Sequence, residues 1–273
     1  MPDYRFETHE PVHLYVEVGR GTVEVHAEDT TETLVEISGR DADDVVVEQS
    51  GRQVSVVAPR QRGLFGGDKE LDVRVRLPLG SELAIKTGSA DVTVEGTVGP
   101  SKIRTGSGDL RMDDVTGPLL FETGSGDLVV DVVSGELRAK SGSGDITIRR
   151  TAAAVAVSTG SGDVHLGSCE GPTHAKTGSG DIRVTAATGD LSLVTGSGDL
   201  VVGSATRGRL TFQGASGDVR VGIPAGTPVW TDISTVSGSL RSDLQGVGQP
   251  EDGADHVELR ATTVSGDVVL SQV

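Results

Sequence analysis

Asparagine is absent from this sequence, and cysteine occurs once, as Cys169. The first absence removes every N-glycosylation acceptor. The second removes any intrachain disulfide. Aromatic residues make up 3% of the chain, with a single Trp, so a core has to be built from Val, Leu, Ile and Ala. No apolar run approaches the roughly 18 residues of a membrane span. The opening "MPDYRFETHEPVHLYVEVG" has no basic stretch leading into an apolar one, so it does not read as a signal peptide. The chain as written is therefore expected to be cytoplasmic, with no direct membrane insertion. Cations are scarce as well: 24 Lys and Arg stand against 40 Asp and Glu, for a formal net charge of −16. Such a surface repels phosphate backbones and anionic lipid, which argues against nucleic acid as a partner.

What is present is glycine and repetition. Gly and Pro together make about 18% of the residues, below the roughly 25–30% of a disordered low-complexity chain. The glycines fall in a recurring turn: "TGSGDL" at 105–110, 123–128 and 195–200, "SGSGDI" at 141–146, "TGSGDV" at 159–164 and "TGSGDI" at 177–182. Its glycines are Gly106, Gly108, Gly124, Gly126, Gly142, Gly144, Gly160, Gly162, Gly178, Gly180, Gly196 and Gly198. Counted by the Asp that closes each turn, the repeat runs Asp91, Asp109, Asp127, Asp145, Asp163, Asp181, Asp199, always 18 residues apart. It loosens at Asp218, Ser239 and Asp267.

Numbered from its Asp, position 2 (Val92, Leu110, Leu128, Ile146, Val164, Ile182, Leu200) and position 4 (Val94, Met112, Val130, Ile148, Leu166, Val184, Val202) are always apolar. Position 3 is mixed. That alternation is a strand with one face inward. Positions 11 and 13 repeat the pattern nine residues on, as in Leu119 and Phe121, after a second glycine near position 9. A unit of 18 residues cannot bury its own apolar face, whereas stacked copies can. The expected fold is all-β: a single-stranded parallel β-helix (a β-solenoid), right-handed by the usual crossover rule, with two short strands and two turns per coil. Coils would lie about 4.8 Å apart. The expected division is an irregular N-terminal strand region or cap over 1–86, the regular array over 87–222, and irregular closing coils or a cap over 223–273. Strands are expected at 12–18, 22–27, 33–38, 45–49, 53–58, 71–77 and 82–86. The segment 59–70 reads as a loop with Leu64 and Phe65 at its tip, 245–256 as a polar loop, and Trp230 as packing over the last coil.

Three features invite chemistry. The Asp column would bring carboxylates about 5 Å apart, each neighbouring pair costing just under ~1 kcal/mol even in water. Ca2+ between turns would offset that, making Asp109, Asp127, Asp145, Asp163, Asp181 and Asp199 weak candidate ligands. However, one Asp and one Ser per coil supply few of the six to eight oxygens Ca2+ takes. The favoured reading is that each Asp caps its own turn by accepting backbone N–H groups, with Lys86, Arg104, Lys140 and Lys176 offsetting the charge. The Thr and Ser columns read as turn partners rather than as a ligand ladder. His165, Cys169 and His174 fall within ten residues but occupy positions 3, 7 and 12: His165 outward on one strand, Cys169 near the other turn and His174 outward on the opposite strand, so they are not expected to converge. Gly-Ser-Gly is not a nucleophile elbow, and seven copies of one Ser argue against a unique nucleophile. No catalytic residue, metal ion or cofactor is expected.

The run "VRVRLPLGSELAIKTGSADVTVEG" at 73–96, the "TGSGDL" array and the closing "TVSGDVVL" at 263–270 resemble a bacterial family of β-strand-repeat proteins, named putative adhesins and also called Toastrack domains (domain of unknown function 4097). The resemblance covers nearly the whole chain. It implies a β-helix with no known catalytic residues, in a family some of whose members are linked to sensing of cell-envelope stress. The expected function is a non-catalytic binding or scaffold protein whose partner is an unknown protein or envelope component, acting as a monomer or small oligomer. The alternatives are a self-assembling scaffold like the bactofilins, or an exported adhesin whose true start lies upstream.

Overall fold

The computed structural model describes residues 2–59, 70–245 and 255–273. The loop tip with Leu64 and Phe65, and most of the polar loop at 245–256, lie outside the described residues. The chain divides into two compact units, Met1–Glu136 and Leu137–Val273. Both are all-β. Among the described residues the only helix is the 3-10 turn Ala42–Asp44, and no helix is long and apolar enough to cross a membrane.

In each unit the strands alternate between two sheets, so each 18-residue repeat places one strand in each. In the first unit one sheet runs Asp3–Glu7, Glu32–Gly39, Glu70–Pro78, Arg20–Glu28, Asp91–Val98, Leu110–Val115, Leu128–Val133. The other runs Val46–Ser50, Gln53–Val57, His13–Val18, Glu82–Thr87, Ser101–Thr105, Leu119–Thr123. Repeats pair in parallel and in register, Leu110 beside Leu128 and Ser101 beside Leu119. Among the described residues, pairing turns antiparallel only at the N-terminal edge, where Glu32–Gly39 joins Asp3–Glu7 and Glu70–Pro78, and Val46–Ser50 joins Gln53–Val57. The seven strands expected between 12 and 86 are all present; Asp3–Glu7 is an eighth that the sequence reading did not include.

In the second unit the regular rungs are followed by a reordering. One sheet ends Val219–Ile223, Val268–Gln272, Leu240–Ser242, and the other ends Gly208–Ser216, Val257–Thr263, Val229–Thr235. The last two strands of the chain therefore slot in ahead of the pair that precedes them in sequence. The first unit does the same: His13–Val18 and Arg20–Glu28 lie between the strands that follow them and the regular rungs.

The core of each unit lies between its two sheets, and its inward columns match the sequence pattern. Leu110, Met112, Leu119 and Phe121 are buried, while Arg111 between the first two is exposed. There is also a third inward column, at position 7: Val115 and Val133 in the first unit, and Thr151, Cys169, Ala187 and Ala205 in the second, with Val98, at position 8, brought beside Val115 by a one-residue bulge. Two outward residues, such as Asp113 and Asp114, precede it, so strict alternation hides it. Volumes are matched along the rows: Phe212 sits beside Leu193 on one side and Ala261 on the other, a large side chain against a small one. Each buried Val, Leu or Ile contributes about 1.5–3 kcal/mol relative to exposure.

Candidate functional site

The repeated turn is built by three side-chain types with separate tasks. The Thr before the turn takes the amide three residues on: Gly108 N–H donates to Thr105 Oγ1 at 2.9 Å, and Gly180 N–H to Thr177 Oγ1 at 3.0 Å. The same hydroxyl donates to the preceding repeat, Thr177 Oγ1 to the Gly162 carbonyl at 3.0 Å and Thr195 Oγ1 to Gly180 at 3.1 Å. The glycines are required by close approach rather than by a left-handed backbone. A Cβ on Gly126 would stand 2.0 Å from the carbonyl oxygen of Gly108, the equivalent residue one repeat earlier.

The Asp takes a different role from the expected cap of its own turn. Its Oδ1 accepts the backbone N–H of the Asp in the next rung: Asp109 from Asp127 at 2.9 Å, Asp145 from Asp163 at 2.8 Å, Asp163 from Asp181 at 2.8 Å, Asp181 from Asp199 at 2.8 Å. The ladder follows spatial order, not chain order, through the reordered end: Asp199 accepts from Asp218, Asp218 from Asp267, and Asp267 from Ser239, each at 2.9 Å. The Thr already serves the turn's own amide, so the carboxylate is left to bridge rungs. Such charge-assisted bonds are short and strong, and they offset the like-charge crowding.

Arginine does the rest of the offsetting, two residues after the Asp. Arg183 Nη2 donates to Asp181 Oδ2 at 2.7 Å. Arg220 bridges Asp199 Oδ2 at 2.8 Å and Asp218 Oδ2 at 2.6 Å. Two of the four cations expected for this task pair elsewhere, Lys86 with Glu17 and Arg104 with Glu122. The backbone amide of Asp218, then Arg220, holds the Asp199 carboxyl below the usual carboxylate range against the opposing effect of burial. The Ser239 amide does the same for Asp267. Both oxygens of Asp181, Asp199 and Asp218 are thus engaged by N–H donors, so Ca2+ there would compete with charge-assisted bonds. Among the described residues no three His, Cys, Asp or Glu side chains group as a metal ion would need. The D-x-R spacing was the available sequence signal for the arginine bridges.

The structure does not bring His165, Cys169 and His174 together. His165 is beside Arg183, with Nε2 3.3 Å from Nη1. His174, on the opposite sheet, has Nδ1 3.2 Å from Ser192 Oγ. Cys169 lies in the third inward column, and burial pushes its thiol up from the ordinary value.

Trp230 departs from expectation. It is not packed over an end of the core; it stands on the outer face of Val229–Thr235, 58% exposed. Beside it lies Glu258, then Arg209; the next outward row is Asp232, Arg260, Thr211. Arg209 Nε meets Glu258 Oε2 at 3.0 Å, and Arg260 Nε meets Asp232 Oδ2 at 2.9 Å. These six side chains line a cavity of about 380 Å3. Arg209 first, and His256 after it, hold the Glu258 carboxyl below its usual value. The site was illegible in the sequence because Arg209 and Glu258 are 49 residues apart.

A family model described as Toastrack DUF4097 matches residues 12–188 and again 122–271. Comparison with curated proteins gives no match. Similar solved structures include a "putative adhesin" from Bacteroides fragilis (11% identity, 100% of this chain and 96% of that one, TM-score 0.40). Two others are a "putative adhesin" from Parabacteroides merdae (13%, 100% and 95%, 0.38) and a "putative lipid binding protein" from Parabacteroides distasonis (13%, 100% and 96%, 0.37).

Proposed function

The chain belongs to the Toastrack DUF4097 family, and on that premise we propose that it is a non-catalytic β-solenoid binding or scaffold module. In this reading its coils wind right-handed, one per 18 residues, and its outer faces recognise a protein or an envelope component in adhesion or in sensing of envelope stress. One observation carries the reading. The Thr and Asp side chains that recur in the turns are committed to neighbouring backbone, Thr to its own turn and the preceding rung, Asp to the following one. The repeated Thr and Asp are therefore structural, and what varies from rung to rung is the outward position 3, the composition of a recognition surface rather than of an active centre.

A second reading, end-to-end self-assembly, is favoured by the last rung of the second unit. Val229–Thr235 and Leu240–Ser242 are edge strands among the described residues, and Leu240, on the inward register of Val268, is 53% exposed. Edge strands of this kind invite pairing with another chain. Size-exclusion chromatography with light scattering separates the two. A monomer or small oligomer is the expected result; filaments that grow with concentration would replace the first reading with the second.

A further inference from the structure

We propose that the groove at Trp230 is a binding site for a neutral saccharide that presents an all-equatorial, gluco-configured pyranose. The inference rests on the reading of the chain as a binding module and names a ligand class for one of its faces. Trp230 is the sole Trp of a chain poor in aromatics, and it lies outward on a sheet surface instead of filling the core. A flat indole face offers an apolar platform, with its N–H as a polar handle. The surrounding grid supplies both kinds of hydrogen-bonding group: guanidinium donors from Arg209 and Arg260, and carboxylate acceptors from Asp232 and Glu258.

Their charges decide the ligand class. Two cations and two anions are paired across the strands, so the four charges cancel and an ionic ligand would have to compete with an existing pair. A wholly apolar ligand is disfavoured too, because it would desolvate four charged groups without replacing their water. A neutral ring whose hydroxyls are all equatorial satisfies both conditions: only axial C–H bonds stand on its faces, so a face stacks flat on the indole, and the rim of hydroxyls bonds the paired charges. Each guanidinium is engaged through Nε, and with five N–H donors per guanidinium capacity remains for vicinal hydroxyls. The volume, about 380 Å3, lies within the roughly 300–1,000 Å3 of small-molecule sites.

The single Trp makes the site its own reporter. Full-length chain is titrated with cellotriose and with triacetylchitotriose while Trp emission is followed. The expected result is a saturable change for at least one of them, half-complete at millimolar concentration or below. Trp230→Ala, followed by calorimetry, should weaken binding by about tenfold or more, while Trp230→Phe should retain most of it. Asp232→Asn should weaken it severalfold. The proposal is overturned if neither sugar changes the emission, or if Trp230→Ala binds as well as the parent. It is equally overturned if the emission responds to protein concentration but not to sugar, which would assign the groove to a second copy of the chain. Failure here leaves the binding-module reading to be decided separately by light scattering.

Discussion

At the residue scale, the turn divides its labour in a way that yields sharp contrasts. Gly126 has no room for a methyl group, because Gly108 O is 2.0 Å from where its Cβ would stand. Asp109 in contrast is exposed, and its removal frees an amide that water can reach. Gly126→Ala should therefore cost about 3 kcal/mol, the upper range of overpacking, and Asp109→Ala about 1 kcal/mol, read as shifts in the denaturation midpoint at constant slope. A midpoint for Asp109→Ala below that of Gly126→Ala would show the carboxylate ladder outweighing backbone fit. Cys169 supports a second test. It is buried and its thiol is pushed up, so a thiol-specific reagent should label it only as fast as the chain opens, and promptly in denaturant. Fast labelling of native chain would contradict its placement in the core.

At the scale of the element, each strand contributes through two or three inward side chains and little else. Val184 is 1% exposed in the strand Ile182–Ala187, which is hydrogen-bonded on both sides. Val184→Asp puts an unpaired carboxylate between the sheets, and a loss of more than about 4 kcal/mol is expected. Circular dichroism melts should show a lost or strongly broadened transition; a cooperative melt close to the parent's would mean that the inner face is hydrated. The outward Arg183 in the same strand can be replaced by Ala at about 1 kcal/mol or less, as surface pairs usually can.

For the whole molecule, charge and pH set the conditions of stability. Acidic residues exceed basic ones by the full formal charge of −16, so the compact state repels itself. Raising salt from about 0.02 M to about 0.5 M shortens the Debye length severalfold and should raise the melting temperature; a fall would mean that the surface ion pairs outweigh the net repulsion. Acid acts through Asp199 and Asp267, whose carboxyls are held low in the folded state by the Asp218 and Ser239 amides. Their contribution is present above the unfolded value, near about 3.9, and is lost as pH falls through the folded values. Stability should hold down to about pH 4 and then decline, and Asp199→Asn should flatten the decline.

Much of this was written locally. The period of 18, the inward positions 2, 4, 11 and 13, and the strands between residues 12 and 86 follow from side-chain direction alternating along an extended chain, which a sequence records residue by residue. The third inward column escaped because two outward residues interrupt the alternation ahead of Val115 and its equivalents. The sequence by itself determined that the protein is a repeat of parallel strands with its turn glycines and carboxylates in columns. Only the tertiary structure decided which rung follows which at the ends, since any strand with the alternating pattern can extend an open edge and the choice depends on contacts dozens of residues apart. That choice carries the Asp ladder from Asp218 to Asp267 and back to Ser239, and it places Glu258 between Trp230 and Arg209. Neighbours created by non-local pairing leave no local trace in the chain.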